Sequence, residues 1–201
     1  MTLKSNYNSR PRVYQGVKPV LHPCLVLMLA VASGSGFDFY SSARQKVDLI
    51  EGGSLRPGAR VELSARELNA FAEREVPAGV RNPKLVLTGS ETLTGTALVD
   101  FGKLQRAQGY EPGWLMSKLL DGEHPVSVTA RIQSGEGKVR VDIQRAAIAG
   151  LEVDGKTLDF LIRNFILPFY PQAMVGRQIP MAYRIERLQL APTGVAVLIG
   201  R

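Results

Sequence analysis

The chain predicts an α+β domain: a curved antiparallel sheet of six or seven strands wrapped around one long apolar helix at 157–170, with two shorter helices. Residues 158–169, LDFLIRNFILPF, are almost solid hydrocarbon. Three pairs of alternating segments are each joined by a short Gly-containing turn. Helical patterns fall between those pairs, so the strands meet as hairpins rather than parallel crossovers, and the helices pack on an antiparallel sheet.

The first 32 residues read as a signal peptide or N-terminal anchor. Lys4, Arg10, Arg12 and Lys18 precede the apolar run from Cys24 to Ala32, and no acidic residue occurs before Asp38. Ala30-Val31-Ala32 has the small-x-small form of a signal-peptidase site. The run is shorter than the about 20 apolar residues of a membrane span. A periplasmic or secreted location is expected, with an uncleaved inner-membrane anchor as the alternative. Cys24 stands at the start of the apolar run instead of after it, so it is not a candidate for a lipidated cysteine. Residues 33–59 form a poorly defined segment holding one short edge strand, Lys46 to Ile50, before turns at Gly52-Gly53 and Pro57-Gly58.

A single domain is expected over 60–201. Val61-Glu62-Leu63 leads into Ser64-Ala65-Arg66-Glu67, a capping box opening a helix with Leu68, Phe71 and Ala72 on its apolar side. Leu85 and Leu87 then pair, through the turn Thr88-Gly89-Ser90-Glu91, with a strand whose inner face is Leu93, Gly95, Ala97, Val99 and Phe101. The small Gly95 and Ala97 leave room there for a bulky neighbour. Glu111-Pro112-Gly113-Trp114 opens a short apolar helix through Leu120. Val126, Val128, Ala130 and Ile132, then Val139, Val141 and Ile143, define the second hairpin. Alternation slips past Ile143, predicting a bulge.

In the apolar helix, Leu158, Ile162, Phe165, Ile166 and Phe169 share one face with Leu161 at its edge, while Phe160 and Leu167 lie opposite. A sheet covers only one of these faces, so the second is expected to meet more protein, a membrane or a bound apolar molecule. The last hairpin carries Tyr183, Ile185, Leu188 and Leu190, then Val195, Val197 and Ile199, around Ala191-Pro192-Thr193-Gly194.

Composition narrows the chemistry. The chain counts 25 basic and 18 acidic residues, but four basic and no acidic residues lie in the first 32, which leaves 21 against 18, or +3, for 33–201. Basicity alone therefore gives no nucleic-acid role. Beyond the leader there is no cysteine and one histidine, His124, read as a solvated loop residue; a Cys/His zinc site is excluded, and no metal or cofactor is expected. Asp100, Asp142, Glu152, Asp154 and Asp159 are not spaced as an acid–base pair, so no catalytic residues are assigned and the chain is not expected to be an enzyme.

Over residues 60–200 the order of elements and the Ser-x-x-Glu-Leu-Asn helix start at Ser64, Glu67, Leu68 and Asn69 resemble small bacterial members of the tubular lipid-binding (TULIP) superfamily, the YceB-like and YpmS-like envelope proteins. The resemblance implies a noncatalytic envelope protein holding a lipid or acyl chain in an apolar groove. It implies a groove lined by Leu158, Leu161, Ile162, Phe165, Ile166 and Phe169, with Gly95 and Ala97 below and Trp114 and Leu115 closing one end. Contact with a membrane surface is the further expectation. The alternative is an envelope scaffold or protein-interaction module without a small-molecule ligand.

Overall fold

The computed structural model describes residues 36–107, 109, 122–167 and 176–201. Its helices are α1 (Gly36–Glu51), α2 (Ala65–Glu75), α3 (Phe101–Ala107) and α4 (Gly155–Leu161), the last continuing as one π-helical turn, Ile162–Ile166. Its strands are β1 (Arg60–Ser64), β2 (Val80–Thr88), β3 (Thr92–Asp100), β4 (Glu123–Gly135), β5 (Lys138–Ile148), β6 (Leu151–Glu152), β7 (Gln178–Pro180), β8 (Ile185–Ala191) and β9 (Gly194–Ile199).

The fold is α+β, and the strands divide between two antiparallel sheets instead of one. A three-stranded sheet runs β1-β9-β8; a six-stranded sheet runs β2-β3-β4-β5-β6, with β7 also on β5. The sheets do not close into a barrel. All three predicted hairpins form, as β2–β3, β4–β5 and β8–β9. The pairing of β5 with β4 shifts register between Ile143 opposite Ala130 and Arg145 opposite Thr129, where alternation slips in the sequence.

One expectation is corrected near the N-terminal side of the domain. Lys46 to Ile50 is not an edge strand but part of α1, which occupies 36–51 of the segment the sequence leaves poorly defined. Ala43, Val47 and Ile50, at spacings of four and three, are almost fully buried against α2 and Leu63. The signal-like segment 1–32 and the helix expected through Leu120 lie outside the described residues.

The main core sits beneath α1 and α2, not around 157–170. Leu68, Phe71 and Ala72 of α2 meet Leu63, Leu188, Leu190, Val195, Val197 and Ile199 of the smaller sheet, and the near end of the larger one through Leu85, Leu87, Leu93, Ala130, Ile132, Val139 and Val141. At the far end of that same sheet face, Val99, Phe101 and Leu104 form a separate small cluster joined by Val80, Ala97, Val126, Ile148 and Leu161. Asp100 holds α3 in place there: its Oδ1 accepts from Lys103 N at 2.8 Å, and Lys103 Nζ lies 3.0 Å from Oδ2.

Side chains join the layers where backbone ladders end. Ser64 Oγ accepts from Glu67 N at 3.2 Å while Glu67 Oε2 accepts from Ser64 N at 2.7 Å, which is the predicted capping box. Asn69 reaches the free edge of β2, donating to Leu85 O at 3.3 Å and accepting from Leu85 N at 3.4 Å. Ser134 does the same for β8, donating to Leu188 O and accepting from Leu188 N, each at 2.9 Å. An exposed edge needs such cover, since its unpaired amides otherwise recruit another strand.

Candidate apolar site

Cross-strand register builds an apolar row across the far end of the larger sheet. Ala97 of β3 faces Val126 of β4, Val126 faces Ile148 of β5, and Ile148 faces Leu151 of β6. Partners across a ladder share a face, so the four side chains form one row, about 14 Å over three strand spacings. One step toward the main core lies a shallower row, Gly95, Val128 and Ala146. The first row starts inside the small cluster and ends in solvent: Leu151 is 75% exposed. Among the described residues, a Cβ placed at Gly95 would meet only Leu85 Cδ2, at 3.7 Å, an ordinary contact.

α4 and the π turn form a wall beside this surface. No residue of α4 is fully buried; Leu161 packs into the small cluster, and Ile162 at the start of the π turn is buried. Leu167 N donates to Ile162 O at 2.9 Å, the five-residue step of a π turn, and Asn164 Nδ2 donates to Phe160 O at 2.7 Å. Phe160, expected to be covered, is 43% exposed, and Leu167 is half-buried.

Of the predicted lining residues, the structure brings Ala97 and Leu161 together in the small cluster and sets Gly95 one row away. Leu158 is half-buried on α4. The side chains of Phe165 and Ile166, and Trp114, Leu115 and Phe169 altogether, lie outside the described residues. Sequence patterning missed Val126, Ile148 and Leu151 as a continuous row, because periodicity within a strand does not reveal which residue faces it across the ladder. His124 is not a solvated loop residue: it is half-buried in β4 opposite Val99, its ring 6.3 Å from that of Phe101.

The strongest buried charge has a structural role. Glu67 is 6% exposed, and its Oε1 accepts from Ser42 Oγ and Lys46 Nζ, both at 2.6 Å. Burial alone would raise its pKa; the hydrogen bonds from Lys46, Ser42 and Ser64 overcome that and hold it at about 2. Burial likewise opposes ionisation of Asp100, and the Lys103 amide and ammonium outweigh it, leaving the carboxyl below its usual range. Glu67 borders a polar cleft of about 510 Å³ on the outer face of the smaller sheet, with Lys46, Arg60, Glu62 and Gln189. Its charges are matched internally, Lys46 with Glu67 and Arg60 with Glu62 and Gln189, so it presents no charge in want of a counterpart.

Among the described residues no group of three His, Cys, Asp or Glu side chains is placed to hold a metal ion, and no helix is long and apolar enough to cross a membrane. No family model, curated protein or solved structure matches the chain.

Proposed function

We propose that the protein is a noncatalytic, exported binder of a lipid or other acyl-chain ligand, held on the far half of the larger sheet's apolar face. One observation carries this: the row Ala97–Val126–Ile148–Leu151 runs out of its cluster into solvent, beside Gly95, where among the described residues an added Cβ would touch only Leu85. A flexible hydrocarbon chain suits a shallow row of small and branched side chains better than a rigid polar molecule does. Covering a residue as large as Leu151 supplies roughly 1.5–3 kcal/mol, an incentive that polar ligands lack. Here α4 and the π turn form one wall of the site, whereas the sequence pattern expects helix 157–170 at the centre of a wrapped sheet. The signal-like pattern of residues 1–32 supports an envelope location for such a binder.

Native mass spectrometry of gently purified full-length protein is expected to reveal adducts with the masses of cellular lipids. A clean ligand-free mass from several lipid-rich preparations would contradict the proposal. Concentration-dependent self-association without any lipid would favour the scaffold alternative instead.

A further inference from the structure

We propose that His124 is the head-group contact of the apolar site, so that the ligand is an acidic amphiphile, its hydrocarbon ending in a carboxylate or a phosphate. This rests on the lipid-binding function above and names the ligand class. The inward positions of β4 are His124, Val126, Val128, Ala130, Ile132 and Ser134. Their ladder partners on β3 and β5 are all apolar, as are Leu85 and Leu87 of β2 and Leu151 of β6. Ser134 is engaged on the backbone of β8. His124 is therefore the one ionisable side chain on this sheet face among the described residues.

Its place matters as much as its isolation. His124 lies two residues before Val126 on the same face and opposite Val99, so it adjoins the row Ala97–Val126–Ile148–Leu151 at the margin of the sheet. β5 ends at Ile148 and turns through Ala149-Gly150, so on that side the turn offers at most a methyl group beside the imidazole. On another side the ring stands 6.3 Å from that of Phe101. An imidazole here interrupts an apolar face, with a desolvation cost that a leucine would avoid.

The chemistry of the ring selects the head group. An imidazole has two ring nitrogens and keeps at least one N–H, so one nitrogen can be oriented by the protein while the other donates to a ligand oxygen. A carboxylate or phosphate oxygen accepts that bond more strongly than an ester or an alcohol does. The carboxylates next to His124 on the ladder, Asp100 and Glu123, belong to the opposite face and are engaged by Lys103 and Arg81, so neither stands behind the imidazole as in a catalytic pair. With the head group at His124, the hydrocarbon follows the row across β4 and β5 and leaves at Leu151.

The test is displacement of a fluorescent fatty acid from the full chain by palmitic acid, hexadecyl phosphate, methyl palmitate and hexadecanol, which share one hydrocarbon chain and differ in head group. At least one of the two acids is expected to bind roughly tenfold or more tightly than the ester and the alcohol. The tighter acid identifies the source, a free fatty acid or a phosphate-bearing lipid. In His124→Leu this preference is expected to vanish while the ester binds as it does to the wild type. His124→Gln, whose shorter amide keeps an N–H donor, is expected to fall between. The preference is a ratio within one protein, so a loss of stability in a variant does not mimic it. Equal binding of the acids and their neutral analogues by the wild type, or an unchanged preference in both variants, would overturn the head-group contact and leave the lipid site intact. Absence of saturable probe binding by the wild type would instead remove the lipid-binding function, and this contact with it.

Discussion

Gly194→Ala is expected to lower the unfolding free energy by more than about 3 kcal/mol, among the largest effects of any single methyl group in this chain. Gly194 begins β9 opposite Ser64 of β1, with φ at +154°. A Cβ there would strike the carbonyl oxygen of Leu63 and lie 2.8 Å from Ser64 Cα. Both neighbours are backbone, so neither can swing aside. Relief requires separating β1 from β9 where Ala65 N donates to Thr193 O at 2.7 Å and where Ser64 caps α2. The strand pair, the cap and the buried Leu63 would move together. Urea denaturation measures this, with Gly89→Ala as the comparison: that turn glycine also has positive φ, but none of the described residues lies within 4 Å of its added Cβ. Its cost is expected near 1 kcal/mol, the penalty of the backbone conformation alone. Equal costs at the two positions would refute the tight β1–β9 contact.

Glu67→Ala is expected to cost about 3 kcal/mol, and Glu67→Gln about 2. The carboxylate binds α1 through Ser42 and Lys46 and caps α2 through Ser64, so three elements depend on one side chain. Glutamine keeps the shape but brings an NH2 group that faces donors instead of accepting from them. The same site sets a pH dependence. The folded carboxyl titrates at about 2, against 4.5 for an ordinary glutamate. In the window between these values the unfolded chain binds the extra proton, so stability rises with pH. The contribution is fully present above about 4.5 and is lost as pH falls through about 2, amounting to up to about 3 kcal/mol. Denaturant midpoints measured across that window should lose this component of their slope in Glu67→Gln. An identical profile in the variant would contradict the assignment.

Much of the larger sheet was legible because alternation and turn chemistry are local. The Ser134-Gly135-Glu136-Gly137 turn and the slip past Ile143 both mark real features of β4–β5. The capping box was equally legible, since Ser64 and Glu67 need only each other. α1 was not. In Lys46-Val47-Asp48-Leu49-Ile50 the alternation of Val47 and Leu49 with polar neighbours competes with the helical triplet Ala43, Val47 and Ile50. Packing decides for the helix, burying Val47 and Ile50 and leaving Leu49 46% exposed.

The position of the core was hidden for a related reason. Hydrophobicity marks 158–169 as buried by something without saying which sheet face receives it, and α1 and α2 already fill the near end. Nor can alternation assign the last hairpin to its own sheet with β1; that follows from long-range register between Val61 and Val197 and from Ser134 covering β8. Within the candidate site, Gly95 and Ala97 stood out as small residues on an inner face. Their neighbours Val126, Ile148 and Leu151 emerge only once the strands are aligned.

The most direct measurement is a fluorescent fatty-acid titration of the wild type against Gly95→Leu and Thr96→Leu. Leucine at 95 extends over the apolar face, where among the described residues its Cβ meets only Leu85 at an ordinary contact distance, while residue 96 points to the outer face. Saturable binding by the wild type, weakened roughly tenfold or more in Gly95→Leu and unchanged in Thr96→Leu, with all three melting alike, is the predicted result, since covering that face removes about 1.4 kcal/mol or more of apolar contact. Equal affinity in wild type and Gly95→Leu, or no saturable binding at all, would contradict a ligand site on this face.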